Sequence, residues 1–319
     1  MTAGRTCPLH YRYSPTVFAR PAEIRAETIY VIGGLYGNEF AMQAIFELAA
    51  GEPVAPRLVF NGDFNWFNID AQSFEAINRN VLKHIALRGN VETELVANGD
   101  TADCGCAYPD DVNDAEVARS NRIMQILQHT ATGFPEIIAM LGALPMHAVA
   151  EVGGQRFGIV HGDAESLAGW RFAHNFLHEP ENIVWLHRIC NETDLTGFAS
   201  SHTCLPAFRC LNDGVKRHVV INNGAAGMPN FSHTCYGLLS RLSIYPVREG
   251  LAQYGEAVGG VYVDALPIHY DGAQFQQRFL ANWPLGSPAH RSYFARIVNG
   301  PDYAAPHALG LARASSVCA

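Results

Sequence analysis

Residues 28–40 read TIYVIGGLYGNEF and run directly into AMQAIFELAA. An apolar run of strand composition is followed by a glycine-rich turn and then by apolar residues at helical spacing. A chain that passes from strand through a tight turn into a helix is committed to an α/β architecture. The turn aims backbone N–H groups at the helix start, where an anion or a metal-bound ligand can be held. Yet this turn carries no strong catalytic side chain.

The pattern recurs through the first half. Strands are expected at 28–32, 57–60 and 85–88, with helices at 38–50, 71–84, 112–130 and near 135–144. This alternation predicts a largely parallel sheet. From about residue 146 the pattern changes. MHAVAEVGGQRFGIVHG and FRCLNDGVKRHVVINNG read as strand pairs around GG and NDG turns, which predicts antiparallel pairing in the second half. YGLLSRLSIYPV and GGVYVDALPI extend that sheet, and a helical tail follows from 272 to about 298. No compositional break marks a linker. The expectation is one α/β domain over 28–300, a two-sheet sandwich flanked by helices, with an N-terminal extension (1–27), a cysteine-containing insertion near 97–111 and a C-terminal tail (301–319).

Composition narrows the partners. A chain of 319 residues that is 48% hydrophobic can bury a large core. Its 22 Lys plus Arg against 30 Asp plus Glu give a net charge of −8, which argues against a broad positive surface for nucleic acid. The longest apolar stretch, 137–149, is too short to span a bilayer and contains Pro145. MTAGRTCPLHYRYSP lacks the apolar core of a secretory leader, so a cytoplasmic protein is expected. There, Cys7, Cys104, Cys106, Cys190, Cys204, Cys210, Cys235 and Cys318 are expected to be thiols.

Polar side chains gather at expected strand ends: Gly37-Asn38, Gly62-Asp63, Gly89-Asn90, His161-Gly162 and Ser201-His202-Thr203-Cys204. In open α/β sheets ligands collect beyond the carboxyl ends of strands. Asp, Asn and two His make a fitting set for a divalent metal. The competing reading has Asp63 and Asn90 capping helices and the histidines bonded to buried backbone.

The order of these pairs resembles the calcineurin-like metallophosphoesterase superfamily, whose blocks run D-x-H, G-D, G-N-H-[D/E], H-G and G-H-x-H. VVINNGAAGMPN is similar to the family's I-N-P-G-S-V-G-x-P, and PIHYDGAQFQQRF to an ending in which Tyr-Asp precedes the last helix. The resemblance covers roughly residues 28 to 285. It implies a metal-dependent phosphatase or phosphodiesterase acting on a small soluble substrate; the competing reading is a member of the fold without that chemistry, either a catalytically silent binding protein or an enzyme using a cysteine-containing zinc or iron centre. In such enzymes two metals share a bridging aspartate, polarise a phosphoryl oxygen and supply the attacking oxygen.

By this resemblance one metal's own ligands align with Gly34, Tyr36 and Cys204, so two are lost and the third exchanged. The other metal's ligands align with Asp63, Asn90, His161 and His202, all present. The implied cofactor is one divalent ion (zinc, iron or manganese) rather than two. Val91 stands where the family often has a histidine that protonates the leaving group. Glu92 is the nearest alternative acid, or else a carboxylate that offsets a helix dipole. Tyr36 either contacts the phosphoryl oxygen or fills vacated space.

Thiols bind zinc and iron well. Cys204, with Cys104 and Cys106 on a loop in DTADCGCAYPDD, offers a rebuilt soft site; a redox pair or a separate structural zinc are the rival readings. Asn38 is expected to contact substrate, and Asp163 and Glu165, two and four residues beyond His161, either to orient it or to hold substrate. Arg119 and Arg122 fall on one helix face, suited to a phosphate or simply to solvent.

Overall fold

The structure is a computed structural model that describes residues 3–97, 103–212, 214 and 216–311. Cys318 and the start of the expected insertion lie outside these residues. Among the described residues the chain runs β1 (Ile24–Arg25), β2 (Thr28–Ile32), α1 (Glu39–Ala50), β3 (Arg57–Asn61), α2 (Ala71–Val81), β4 (Ile85–Leu87), α3 (Asn90–Val96), α4 (Asp114–Ala131) and α5 (Pro135–Gly142). It continues through β5 (His147–Val152), β6 (Gln155–Val160), α6 (Pro180–Thr193), β7 (Gly197–Ser200), β8 (Pro206–Asn212), β9 (Arg217–Asn223), β10 (Gly237–Ser243), β11 (Tyr254–Val258) and β12 (Val261–Ile268). Helices α7 (Gly272–Asn282), α8 (Pro288–Asn299) and α9 (Ala305–Ala308) follow.

Two six-stranded mixed sheets result, ordered β11-β12-β10-β2-β3-β4 and β1-β5-β6-β7-β9-β8. Strands β2, β3 and β4 are parallel, as the alternation of strand and helix requires. The hairpins β5-β6 and β8-β9 are antiparallel, but β6-β7 and β7-β9 are parallel. The expectation of antiparallel pairing is corrected there because α6 crosses over between β6 and β7, and β10 and β12, expected to extend that sheet, instead join the sheet of β2 with antiparallel pairing. The helical tail is two helices: Pro284 follows α7, and Ser287 caps α8 by accepting from His290 N–H at 3.4 Å.

Alternation along β2 explains the layers. Ile29 and Val31 face the other sheet and join Ile159, Ala199 and Ile221 between the sheets. Tyr30 and Ile32 face the helices with Ala41, Ile45 and Phe60. Side chains on both faces are therefore buried, so β2 reads as a continuous apolar run. On the far side, α6 covers the second sheet through Trp185, Leu186 and Ile189 against Phe198 and Val220. Among the described residues no helix is long and apolar enough to cross a membrane.

Strands β3, β4, β6 and β7 all end at one edge of the sandwich, and Asp63, Asn90, His161 and His202 directly follow them. At the opposite, N-terminal end of β7 the strand lies tight against its neighbour β9 in the same sheet. A Cβ on Gly197 would lie 1.8 Å from the Val219 carbonyl oxygen. Gly197→Ala is therefore expected to force β7 off β9 and destabilise the protein by about 3 kcal/mol, read as a lower urea midpoint at unchanged slope.

Candidate metal centre

The glycine of each Gly-polar pair is required by proximity. A Cβ on Gly89 would sit 2.3 Å from Asp63 Oδ1 and 2.9 Å from His161 Cε1. One on Gly62 would meet Gly89 N at 2.5 Å and His161 Nδ1 at 2.7 Å. Asp63, Tyr36 and Cys204 all have left-handed backbones, with φ of 53°, 54° and 61°. Such conformations in non-glycine residues gather at functional sites.

Four side chains converge beyond the strand ends. His161 Nε2 lies 3.3 Å from Asp63 Oδ1, 3.1 Å from Asn90 Oδ1 and 3.2 Å from His202 Nδ1. The far side of each ring is fixed by backbone. His161 Nδ1 donates to Asn61 O at 2.9 Å, and His202 Nε2 donates to Cys106 O at 3.0 Å. A carbonyl only accepts, so the protons sit on those nitrogens and the inner nitrogens present lone pairs. Asn90 is oriented likewise: Nδ2 donates to Cys104 O at 2.8 Å, which turns Oδ1 inward.

Four acceptor atoms thus face one another, and only a shared proton or a cation reconciles them. The spacing fits a cation, because two nitrogens each about 2.1 Å from one ion at a tetrahedral angle stand about 3.4 Å apart. Among the described residues, Asp63, His161 and His202 are the one group of His, Cys, Asp or Glu side chains close enough to hold an ion together. Asn90 adds an amide oxygen. Asp63 Oδ1 also accepts Val91 N–H at 3.2 Å at the start of α3, so capping and convergence are both properties of this carboxylate.

Without an ion, charge is shared within the set. Burial opposes charge on His161, but the Asp63 carboxylate outweighs it and raises its pKa. Burial also opposes charge on Asp63, and the two imidazoles overcome this to lower its pKa. His202, buried and beside His161, is pushed down to about 3 and stays neutral, the form in which imidazole binds metal.

At the other aligned positions the Tyr36 ring lies over Gly34, where a Cβ would be 2.9 Å from the ring. Its hydroxyl meets Cys204 Sγ at 3.1 Å, and its ring packs on Phe67. Burial raises the pKa of both the Tyr36 hydroxyl and the Cys204 thiol. Cys204 borders the same cavity without joining the convergent group.

Several expected roles change. Cys104 and Cys106 are buried, and Gly105 between them has φ of 63°, so the pair is not extended. Neither thiol joins the convergent group; the loop meets Asn90 and His202 through its carbonyls, and Cys106 Sγ also accepts from Asn90 Nδ2 at 3.7 Å. Glu92 is buried and accepts from the N–H groups of Asp63, Phe64 and Gly89 at 2.7, 3.1 and 3.0 Å. With both oxygens so occupied, it clamps two turns rather than facing the cavity; burial and Asp63 push its pKa up to about 7. Asn38 caps α1 through Ala41 N–H and donates to Gly227 O, away from the cavity. Asp163 accepts from Glu165, Ser166 and Arg171 N–H groups, closing its own turn. Arg119 bonds Glu116 and Ser292, and Arg122 bonds Gln125 on the exposed helix face.

The space beside the convergent atoms is about 30 Å³, room for one or two waters. Tyr36, Trp66, Tyr108, Trp170 and Tyr293 wall it. It adjoins a second space of about 60 Å³ bordered by Tyr108, Trp170, Cys204, Tyr293 and Arg296. Arg296 is 5% exposed and is held by Pro229 O and Cys204 O at 3.0 and 2.7 Å. Sequence reasoning missed this aromatic wall and Arg296, because they come from distant loops and helix α8 with no local motif.

Two solved structures share this architecture. A metallophosphoesterase from Sphaerobacter thermophilus is 16% identical at a TM-score of 0.53, with 86% of this chain covering 100% of that one. A hypothetical protein from Pyrococcus horikoshii is 14% identical at a TM-score of 0.57, with 86% of this chain covering 99% of that one. No family model and no curated protein matches the chain.

Gly89→Ala is the sharpest single probe of the convergence, since its methyl would lie 2.3 Å from Asp63 Oδ1. Zinc uptake by dialysed protein is expected to fall at least about tenfold, with the far-ultraviolet dichroism retained.

Proposed function

We propose that this chain, whose fold is that of the metallophosphoesterases, is a phosphoric ester hydrolase that works with one divalent ion held by Asp63, Asn90, His161 and His202. The observation that supports this most is the meeting of four acceptor atoms with the far nitrogens of both histidines tied to carbonyls. Two imidazoles with oxygen donors and no thiol suit zinc, iron or manganese. Bound there, such an ion supplies Lewis acidity to a phosphoryl oxygen.

The remaining work falls to the chain. Asp63 provides the negative charge; His202 is held neutral, and His161, whose pKa Asp63 raises, gives up its inner proton when the ion binds. Tyr36, whose pKa burial raises well above the usual value, keeps its proton and is the hydroxyl donor beside the position where the second metal's ligands are replaced. Glu92 holds the Asp63 turn in place. The aromatic walls limit water, and Arg296 borders the adjoining space where an anionic group would enter. The space of about 30 Å³ beside the convergent atoms would have to widen to admit a phosphate ester.

That narrowness favours a second reading, a metal-binding protein of this fold without turnover. Purified protein assayed on 4-nitrophenyl phosphate and its bis-ester with manganese, zinc, iron and magnesium separates the two. The hydrolase reading expects turnover with at least one of the first three, reduced more than about a hundredfold in Asp63→Ala and His202→Ala, since losing a ligand exceeds the effect of losing a ligand's support. No turnover of either ester with any of the four metals supports the second reading.

A further inference from the structure

Residues 103–108 contribute no ligand, yet their backbone touches two of the four. Cys104 O receives Asn90 Nδ2–H at 2.8 Å, and Cys106 O receives His202 Nε2–H at 3.0 Å. Cys106 O also receives Trp170 Nε1–H at 3.1 Å, joining the cavity wall to the same point. Each contact decides an orientation. Without Cys104 O, the Asn90 amide is free to turn its NH2 group toward the ion; without Cys106 O, His202 is free to carry its proton on Nδ1.

The segment is itself held from outside the site. Asn121 on α4 accepts Cys104 N–H through Oδ1 at 3.0 Å and donates through Nδ2 to Ala3 O at 3.1 Å. Asp103 Oδ1 accepts Gly4 N–H and Gly105 N–H at 2.8 and 2.9 Å, and Tyr108 N–H reaches Gly4 O at 2.9 Å. The Tyr11 hydroxyl, bonded to Glu94 at 2.5 Å, stands 2.2 Å from where a Gly105 Cβ would be.

We propose that Asn121 and Asp103 are positioning residues for the metal centre: through residues 103–108, strapped by the N-terminal segment, they hold Asn90 and His202 in their ligating orientations. This rests on the metal reading above and adds to it the part of the chain that sets affinity. It also assigns the two cysteines a role through their carbonyls, to which Cys106 adds its sulfur beside Asn90 Nδ2.

The test is zinc affinity of the full chain, stripped of metal and titrated against a competing chelator, for wild type, Asn121→Ala, Asp103→Ala and the control Thr130→Val. Thr130 lies on the same helix and bonds Ile69 O, remote from the strap. Melting curves fix a temperature at which all four are folded, and Asp103, which is only half-buried, keeps the test open if Asn121→Ala does not fold. The expected result is affinity weakened about 10- to 100-fold in both strap variants, with the control at the wild-type value. Strap variants that bind as wild type does, or that weaken only as much as the control, overturn the inference while leaving the metal reading standing. A wild-type chain that takes up no zinc overturns the metal reading, and this inference with it.

Discussion

Two imidazole nitrogens held 3.2 Å apart, each with its proton drawn to the opposite side of its ring, set the terms for everything around them. Lone pairs that close repel unless positive charge lies between them, so the surrounding fold has to supply both the confinement and the compensation. Confinement comes from strand ends that approach so closely that Gly62 and Gly89 leave no room for a side chain. Asp63, whose left-handed backbone aims its carboxylate at the same point, adds a further acceptor and a negative charge that draws a proton or cation there. Burial raises the stakes of each contact, because a buried polar set that is only partly satisfied is costly.

The neighbouring position shows the opposite solution. Where an ion would need ligands at Gly34, Tyr36 and Cys204, a tyrosine ring covers the glycine and its hydroxyl meets the thiol. The Tyr36 ring packed on Phe67 fills that volume with apolar contact, and a buried aromatic of this size contributes about 2 kcal/mol. At one position acceptor atoms converge; at the other an aromatic ring and a thiol meet. The contrast between adjacent positions is what favours a single ion.

Much of this was legible in the sequence, for physical reasons. Strand ends that must approach one another need glycine, and the side chain that follows is delivered to the shared edge, so the Gly-polar pairs marked the convergence in advance. Strands β2, β3 and β4 were readable because each is an apolar run followed by such a pair, whereas the two-residue β1 was not. Strand β7 and helix α6 were not, since α6 is amphipathic without a strong cap and β7 is only Gly197–Ser200. The cysteines drew attention to a loop that matters through its carbonyls, and a backbone carbonyl leaves no mark in residue type. Glu92 looked like an acid because its position suggested one, and only the N–H groups around it reveal the clamp. Arg296 and Trp170 reach the cavity from far along the chain, a proximity that only the tertiary fold creates.

The central claim is one ion, at one place. Crystals grown with zinc and measured on both sides of its absorption edge would locate every bound ion by anomalous difference density. The account predicts a single strong peak within bonding distance of Asp63, Asn90, His161 and His202. A peak of comparable height beside Tyr36 and Cys204, or none between the two histidines, would contradict it.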